Sequence, residues 1–514
     1  MPGDKKIHVV VLGAGFGGLT FCQHFRHPDA RITVVDRTNH HLFQPLLYQV
    51  AACGLSAPDI AQPVRAILSG REDITVLLGQ VTDVNLAQKK VFLEKSALDY
   101  DYLVLALGGQ TGYFGHPEWE PFAPGLKTLD DALRIRSRIL LAFEKAEGET
   151  DASEHDKLMT IVIVGGGPTG VELAGSFAEL TRTVLNRDFR RIDPTQARII
   201  LIEGSPAVLS HLPPDLSASA QRQLEALGVQ VRNSTKVKAI RDGEVELDTG
   251  EIVRAGNILW AAGVSATPLT KKLGVELDKA GRVKVNPDLS LPGHPEVFAI
   301  GDLALVLQEN GKPVPGVSPA AMQMGKHVAK LIEKEIETDQ SLARPSATLS
   351  RANGEKISRK EDPPIEPLNQ SNDGVAQASS PASSPGVPPG VRAGSETQPQ
   401  LAAGTDCATG LIGRDKARGN LESSGTNPMP RPTFKYWDKG TMATIGRSAA
   451  VAWVGRFKFS GWFAWLAWLF IHLIFLIGFR NRLAVLFQWA YSYFSYKRSA
   501  RIITYLPPES PETK

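Results

Sequence analysis

The sequence predicts an α/β fold in which one pattern of strand, glycine-rich loop, helix and strand occurs twice before a helical C-terminal region. The first copy starts with the apolar run 7–12 and ends with the strand 31–36, whose last residue is Asp36. The second copy spans 159–203 and ends on Glu203. Apolar runs of β type followed by glycines and a helix are typical of βαβ units with a parallel sheet. Two Rossmann-like units are therefore expected.

Composition allows several cores and excludes some classes of protein. The chain has 514 residues, 42% of them hydrophobic, and about three units are expected at ~100–200 residues per domain. A formal net charge of only +3 gives no global electrostatic case for a nucleic-acid partner. The three cysteines, Cys22, Cys53 and Cys407, have neither zinc nor disulfide spacing, which fits a reducing cytosol. No metal site is predicted, because no further ligand cluster accompanies His40 and His41.

The first glycine loop has the residues expected of a dinucleotide-binding turn between a strand and a helix. Backbone N–H groups and the helix dipole can face a pyrophosphate there. Asp36, at the end of the next strand, is predicted to accept hydrogen bonds from an adenosine ribose. The loop consists of Gly13, Ala14, Gly15, Phe16, Gly17 and Gly18.

The second loop repeats this arrangement with Gly165, Gly167 and Gly170, and Glu203 is its predicted ribose acceptor. A carboxylate at this place binds a free 2′-hydroxyl and repels a 2′-phosphate, and no arginine occurs in 204–209. The sequence therefore favours NADH over NADPH.

A third motif, 297–302, ends a strand with Gly301-Asp302 and would let an acidic side chain approach a ribityl chain closely. Taken alone, an ordinary exit from a strand into a turn explains it equally well. Together with two nucleotide loops, it indicates a flavin, and FAD is the predicted cofactor.

These motifs and 105–108 resemble the two-dinucleotide flavoprotein reductases. Three further segments resemble the type II, non-proton-pumping NADH:quinone oxidoreductases: 41–51 (HLFQPLLYQVA), 260–264 (WAAGV) and 438–443 (DKGTMA). The resemblance covers nearly the whole chain except the segment 339–432. It implies FAD on the first loop and Asp302, NADH on the second loop, hydride transfer from NADH to FAD, and two-electron transfer to a membrane quinone, ubiquinone or menaquinone, without proton pumping.

The resemblance also implies roles for individual residues. Glu172 is its candidate for nicotinamide positioning and proton handling, although a carboxylate in the first turn of a helix also suits the helix dipole. The family reads Ala-Gln-x-x-x-Gln where 317–323 retains only the second glutamine, Gln323, which is assigned to the quinone site. Lys439 is assigned to the flavin and quinone pocket, with a surface lysine as the alternative. The remaining residues assigned to cofactor binding are His40, Val81, Ala262, Gly263, Pro319 and Ala320.

Domain limits follow from these motifs and from composition. The segment 339–432 is rich in Ser, Pro and Gly, so we expect a disordered insertion, more a passive linker than a docking tail. The predicted units are an FAD-binding domain in two parts (1–115 and 286–338), an inserted NADH-binding domain (116–285), the insertion (339–432) and a C-terminal membrane-anchoring region (433–508).

The C-terminal region has the composition of a membrane-binding segment. Residues 440–508 contain eight Lys or Arg, no Asp or Glu, and five of the eight tryptophans. The uncharged run 459–479 is long enough to span a bilayer, but the resemblance favours amphipathic helices lying on the surface. Lys497, Arg498 and Arg501 are predicted to attract anionic headgroups. The expected location is the cytoplasmic face of the inner membrane, peripheral or monotopic, with a single span through 459–479 as the alternative.

The cysteine content argues against two related classes of flavoprotein. Sulfide:quinone oxidoreductases and disulfide reductases need a cysteine pair near the flavin, and no cysteine lies between Cys53 and Cys407. A non-respiratory NADH-binding flavoprotein with a redox-sensing or structural role remains the alternative. A homodimer is a possible assembly.

Overall fold

The computed structural model describes residues 6–343, 431–495, 497–498 and 500–505. A π-helical turn, Leu180–Val184, continues one of the helices. The α-helices of the described residues are α1 (Phe16–His24), α2 (Leu47–Ala51), α3 (Ala57–Ile60), α4 (Val64–Ile67), α5 (Leu129–Gly148), α6 (Ala152–Leu158), α7 (Pro168–Glu179), α8 (Pro214–Ala226), α9 (Ser318–Ala343), α10 (Trp462–Phe475) and α11 (Phe479–Ser495).

A six-stranded sheet, the first sheet, is built from apolar and β-branched runs, and its central strands Ile7–Leu12 and Tyr102–Leu105 are largely buried on both faces. All neighbouring strands are parallel except the first pair, which is antiparallel. Such a sheet places the carboxyl ends of its parallel strands, and the loops that follow them, along one edge. In spatial order its strands are Ser290–Leu291, His294–Ala299, Tyr102–Leu105, Ile7–Leu12, Ala30–Asp36 and Ile74–Leu78.

A second, fully parallel sheet of four strands lies within the sequence of the first. The chain leaves the first sheet after Leu105 and returns to it at Ser290, so the second sheet is formed by an insertion. This nesting is the predicted one, while the exact domain limits stay predictions. The strands of the second sheet, in spatial order, are Val229–Arg232, Arg198–Ile202, Thr160–Val164 and Asn257–Trp260.

Smaller sheets cover the ends and faces of these two. Three have three antiparallel strands: Val81–Asn85, Lys90–Leu93 and Ala97–Asp99; Val237–Arg241, Glu244–Leu247 and Ile252–Arg254; and Thr441–Gly446, Ala449–Val454 and Phe457–Ser460. Three are strand pairs: His40–Leu42 with Ala61–Pro63, Gly109–Thr111 with Val264–Ala266, and Val283–Lys284 with Ala304–Leu305.

The C-terminal region begins with a sheet that the sequence did not predict. Its strand Thr441–Gly446 packs on α7 so closely that a Cβ on Gly175 would overlap the carbonyl of Ile445. Val451 of the next strand is fully buried in the core cluster that also contains α7. This part of the region therefore belongs to the folded body of the protein.

The run 459–479 does not form one helix. It contains the end of a strand, the 14-residue helix α10, and a break at Gly478, whose φ of +86° is incompatible with continuing a helix. Helix α10 is about 21 Å long at ~1.5 Å per residue. The alternative of a single span through these residues is thus wrong, and the helices in the described part of the chain include none that combines the length and apolarity needed to cross a bilayer.

The predicted insertion falls mostly outside the described residues. Helix α9 continues through Ala343, so the expected start of the insertion at residue 339 lies inside a helix. On the other side the structure resumes at Arg431, which contacts Glu335 of α9 at 2.5 Å and Asp288 at 3.0 Å.

Candidate active site

The first glycine loop follows the central strand of the first sheet and leads into α1. Gly13 has a φ of +101°, and a Cβ there would clash with the carbonyl of Ala106. At Gly15, in contrast, an added Cβ would meet nothing within 4 Å. The loop is thus packed tightly against the neighbouring strand and open on the side where a pyrophosphate would approach the start of α1.

Asp36 occupies the end of the adjacent strand, as predicted. Its Oδ2 accepts a hydrogen bond from the backbone N–H of Ala14 at 2.7 Å, and its Oδ1 accepts one from Thr38 at 2.7 Å. These two bonds fix the carboxylate beside the loop. Val81 lies at the same edge, two residues after Gly79, whose N–H donates to the Asp36 carbonyl at 2.9 Å.

Asp302 lines a cavity of about 350 Å³ together with Gly301, Ala320 and Met324. Its carboxylate accepts no hydrogen bond from any residue that the structure describes, so both oxygens are available to hydroxyl donors. Ile300 lies against Gly17 of the first loop, which joins this cavity to the loop. An open pyrophosphate loop, a ribose carboxylate and a cavity with a free carboxylate fit an FAD molecule. Pro319 does not line the cavity but precedes Ala320, which does.

His41, rather than its neighbour, contacts the first loop. The His41 ring nitrogen Nδ1 lies 2.9 Å from the Ala14 carbonyl, and the side chain is 2% exposed. Its Nε2 is buried without a hydrogen-bond partner, as expected of an atom that faces a ligand. His40 contacts Asn39 instead. His41 belongs to the motif 41–51, but it was not among the residues predicted to bind a cofactor.

The second loop repeats the geometry of the first. Glu203 Oε2 accepts from the N–H of Gly166 at 2.5 Å, and Oε1 accepts from Ser205 at 2.6 Å. Gly167 has free space around it, as Gly15 does. Gly165 approaches Ala262 so closely that its Cβ would lie 2.7 Å from the Ala262 nitrogen. The structure therefore brings the predicted NADH residues together.

Glu172 lies between the NADH region and the C-terminal sheet. It is the fifth residue of α7, so its predicted place in the first turn is wrong by about one residue, and the helix dipole does not account for it. Burial raises the pKa of the Glu172 carboxyl well above its ordinary value of 4.5, and a hydrogen bond from the backbone of Thr444 acts in the opposite direction. Glu172 is a partly buried acid that holds its proton more strongly than a solvated one.

Known proteins resemble this chain over almost its full length. Residues 7–325 match the pyridine nucleotide-disulphide oxidoreductase family, and residues 438–497 match the NDH2 C-terminal domain. Type II NADH:quinone oxidoreductase NdhA of Mycobacterium tuberculosis is 37% identical over 509 residues, which cover 96% of this chain and 89% of the relative. Ndh of the same organism is 36% identical, with 97% and 91% covered.

The chain belongs to the type II NADH:quinone oxidoreductases. The solved structure of Plasmodium falciparum NDH2 in complex with NADH has the same fold, with a TM-score of 0.74 and 18% identity over 96% of this chain and 99% of that one. Membership confirms the predicted fold class, the enzyme class, and FAD and NADH as cofactors. The alternative of a redox-sensing or structural flavoprotein finds no support.

In this type II oxidoreductase, Gln323 is tied to the C-terminal segment. Its Nε2 donates to the carbonyl of Trp437 and its Oε1 accepts from the Trp437 N–H, both at 3.0 Å. The Lys439 ammonium lies 5.6 Å from the Trp437 ring and 5.8 Å from the Phe475 ring of α10. Lys439 does not line the cavity of Asp302. Nothing in the sequence singled out Trp437.

Two of the predicted lipid-binding cations are used inside the protein. Arg498 is 13% exposed and pairs with Glu179 at 2.7 Å. Arg501 pairs with Asp188. The prediction that Arg498 attracts headgroups is wrong, because this arginine is largely buried against a carboxylate partner. For Lys497 and for Arg501, whose ion pair is partly exposed, it stays a prediction.

Proposed function

We propose that this chain takes NADH from the aqueous side and reduces a quinone that reaches it from a bilayer on which α10 and α11 lie. The observation that carries the proposal is the position of Glu172. It lies in α7, the helix that starts at the NADH loop, and it is covered by Thr444 of the sheet that leads into α10. Glu172 thus lies where the NADH-binding region and the sheet that leads into α10 come together.

The outward faces of α10 and α11 have the composition of a lipid-binding surface. Phe463 is 72% exposed, Phe487 is 68% exposed, and Arg480 is exposed in the first turn of α11. Monomeric soluble proteins rarely expose contiguous apolar patches of this kind, and aromatic residues with basic flanks favour the lipid interface. The apolar and aromatic members are Trp462, Phe463, Leu466, Phe470, Ile474, Phe475, Phe479, Leu483, Leu486, Phe487, Tyr491 and Phe494.

Charge in these helices is consistent with a surface location. His472 is inside α10 with its ring stacked 3.9 Å from Trp468, and burial lowers its pKa to about 4. The imidazole is therefore neutral and adds no charge to the apolar helix.

We place the protein at the cytoplasmic face of the inner membrane as a peripheral protein. A homodimer stays a prediction.

The residues of the site then have separate tasks. Bound FAD supplies hydride acceptance from NADH and two-electron transfer to a quinone. Glu203 selects the free 2′-hydroxyl of NADH. Glu172, whose carboxyl pKa is raised by burial, delivers a proton to a quinone oxygen, since quinol formation consumes two protons. Asp36 and Asp302 bind the sugar hydroxyls of FAD.

The quinone enters, in this proposal, at the segment 437–439, which is bonded to Gln323 of α9 and reaches Phe475 of α10. Gln323 is bonded to Trp437, and Lys439 lies near the rings of both Trp437 and Phe475 of α10, next to the exposed helix faces. An aromatic ring pair suits a quinone ring, and the ammonium of Lys439 suits its oxygens.

The test of the activity is NADH oxidation by the purified protein in liposomes, with and without a ubiquinone or menaquinone analogue, and with NADPH for comparison. Fast, quinone-dependent oxidation selective for NADH is expected. Reduction of the flavin by NADH without quinone turnover would contradict the proposal.

Membrane docking is tested by sedimentation with anionic liposomes. Replacing both Phe463 and Phe470 with serine removes two of the most exposed aromatic side chains of α10 and should release the protein into the supernatant. The control is Ile252→Ser, which changes a residue that is 54% exposed in a sheet of the NADH region. Equal sedimentation of both variants would overturn the lipid assignment.

A further inference from the structure

A strained aromatic residue lies in the turn between the strand Gly109–Thr111 and the NADH region. Phe114 has a φ of +51°, in the left-handed region where a side chain as bulky as that of phenylalanine is uncommon. Phe114 is also 72% exposed, so burial of its ring does not compensate for this backbone conformation. Strained residues that the surrounding structure holds in place cluster at functional sites. Phe114 is therefore a candidate for a functional role.

The turn that carries Phe114 is bound to the segment 260–263. Trp260, which is buried, donates from Nε1 to the carbonyl of Gly112 at 3.0 Å. The N–H of Gly112 donates to the carbonyl of Gly263 at 3.3 Å. The Phe114 ring meets the Trp260 ring edge-on, with the two centroids 6.0 Å apart. These contacts give the exposed ring a defined place beside the segment 260–263.

The Phe114 ring lies directly over Gly263. A Cβ on Gly263 would be 2.9 Å from Cζ of Phe114, and the φ of +81° at this position also favours glycine. The next residue, Val264, lines the cavity of Asp302. Phe114 therefore contacts the residue that directly precedes the lining of the cavity in which we place FAD.

The order of the strands in the second sheet indicates which part of NADH comes to this place. Glu203 follows one strand, the second loop follows the neighbouring strand, and Gly263 lies shortly after the strand on the far side of the loop. A dinucleotide crosses such an edge with its pyrophosphate at the loop. With the adenosine ribose at Glu203, the nicotinamide half extends toward Gly263 and the cavity of Asp302.

We propose that Phe114 binds the nicotinamide half of NADH by packing its exposed ring against it. The inference rests on the assignment of NADH to the second loop. Two flat rings attract each other at centroid distances of ~4.5–7 Å, and the nicotinamide ring offers such a partner. Contact with the nucleotide removes the Phe114 ring from water, which offsets the unfavourable left-handed backbone.

The test compares NAD⁺ with ADP, which has no nicotinamide half, by titration calorimetry of the FAD-loaded protein. Phe114→Ala should weaken the binding of NAD⁺ about tenfold and leave the binding of ADP unchanged. Phe114→Tyr keeps the ring and should bind both nucleotides as the unmodified protein does. The matched control is Ile252→Ala, which shortens another exposed apolar side chain of the NADH region and should change neither affinity.

A further variant separates the role of the ring from damage to the fold. Phe114→Gly removes the ring together with the left-handed strain, so its thermal midpoint should be higher than that of Phe114→Ala. Its affinity for NAD⁺ should nevertheless be as low as that of Phe114→Ala, because both lack the ring. An NAD⁺ affinity of Phe114→Gly equal to that of the unmodified protein would overturn the inference.

Two results with Phe114→Ala would also overturn the inference: an unchanged affinity for NAD⁺, or equal losses of affinity for NAD⁺ and ADP. An unmodified protein that binds neither nucleotide would contradict the assignment of NADH to the second loop, and the inference with it. The titration contains no quinone. An unmodified protein that reduces no quinone would contradict the proposed function, whereas the titration would still decide the role of Phe114.

Discussion

The Arg498 guanidinium lies 2.7 Å from the Glu179 carboxylate, although 319 positions separate the two residues in the chain. Arg498 also donates to the carbonyl of Ala52 at 2.8 Å, directly after α2. The other oxygen of Glu179 accepts from the backbone of Arg447. One ion pair therefore joins the tail, α2, α7 and the C-terminal sheet.

Removing this arginine is expected to destabilise the protein. Arg498→Ala leaves the largely buried Glu179 without its partner, which costs about 3 kcal/mol. The thermal midpoint and the retention of the C-terminal helices under limited proteolysis measure the effect. Arg480→Ala, at an exposed position, serves as the control, and equal midpoints for the two variants would contradict the prediction.

Stability should depend on pH through Glu172. Its pKa in the folded protein is raised, so the unfolded chain releases this proton first as the pH rises above about 4.5. The native protein therefore loses stability between pH 4.5 and the folded pKa, at most about 1.4 kcal/mol per pH unit. The Glu172→Gln variant should not show this pH-dependent loss of stability. Thermal midpoints of both proteins from pH 4 to 8 should diverge with rising pH, and parallel curves would argue against a buried proton.

Gly175 should tolerate no side chain. In Gly175→Ala the Cβ overlaps the carbonyl of Ile445, so the C-terminal sheet must move away from α7, at a cost of about 3 kcal/mol. Gly148→Ala, where a Cβ meets nothing within 4 Å at the end of α5, should be neutral or slightly stabilising. The measurement is urea unfolding. If Gly175→Ala were as stable as Gly148→Ala, the C-terminal sheet and α7 could move apart at little cost in stability, contrary to the prediction.

Glu203 should set the choice between NADH and NADPH. Glu203→Gln removes the charge that repels a 2′-phosphate, and the ratio of kcat/KM for NADH to that for NADPH should fall about tenfold, equivalent to ~1.4 kcal/mol. Glu225→Gln, an exposed change on α8, should leave the ratio unchanged. A constant ratio in Glu203→Gln would remove Glu203 from the selection of the nucleotide.

The nucleotide sites could be predicted because their chemistry is local in sequence. Strand, loop and carboxylate lie within about forty residues, and Asp36 and Glu203 each bond to the loop expected from the pattern. The tail was harder to predict. Whether Arg498 contacts a headgroup or Glu179 depends on how segments that are distant in the sequence pack against each other. Composition does not encode this packing.

The same limit applies to the C-terminal sheet and to the hydrogen bond between Trp489 and Gln49. The residues 441–460 read as the approach to a membrane segment, yet Val451 is buried because α7 offers a glycine, Gly175, against which a strand can pack. Tyr48 and Gln49 belong to the motif 41–51, but Trp489, which donates to Gln49, lies 440 positions further along the chain on a helix whose inner face no periodicity marked.

The anchoring of Arg431 to Glu335 and Asp288 closes the fold across the long insertion. The polypeptide re-enters the body of the protein beside the helix from which it departed, and the contacts that secure this junction belong to residues on either side. We therefore expect α9 and the C-terminal sheet to stay together when the chain between them is cut. This junction is a natural place for fusing a reporter domain or for assembling the enzyme from two separately expressed pieces.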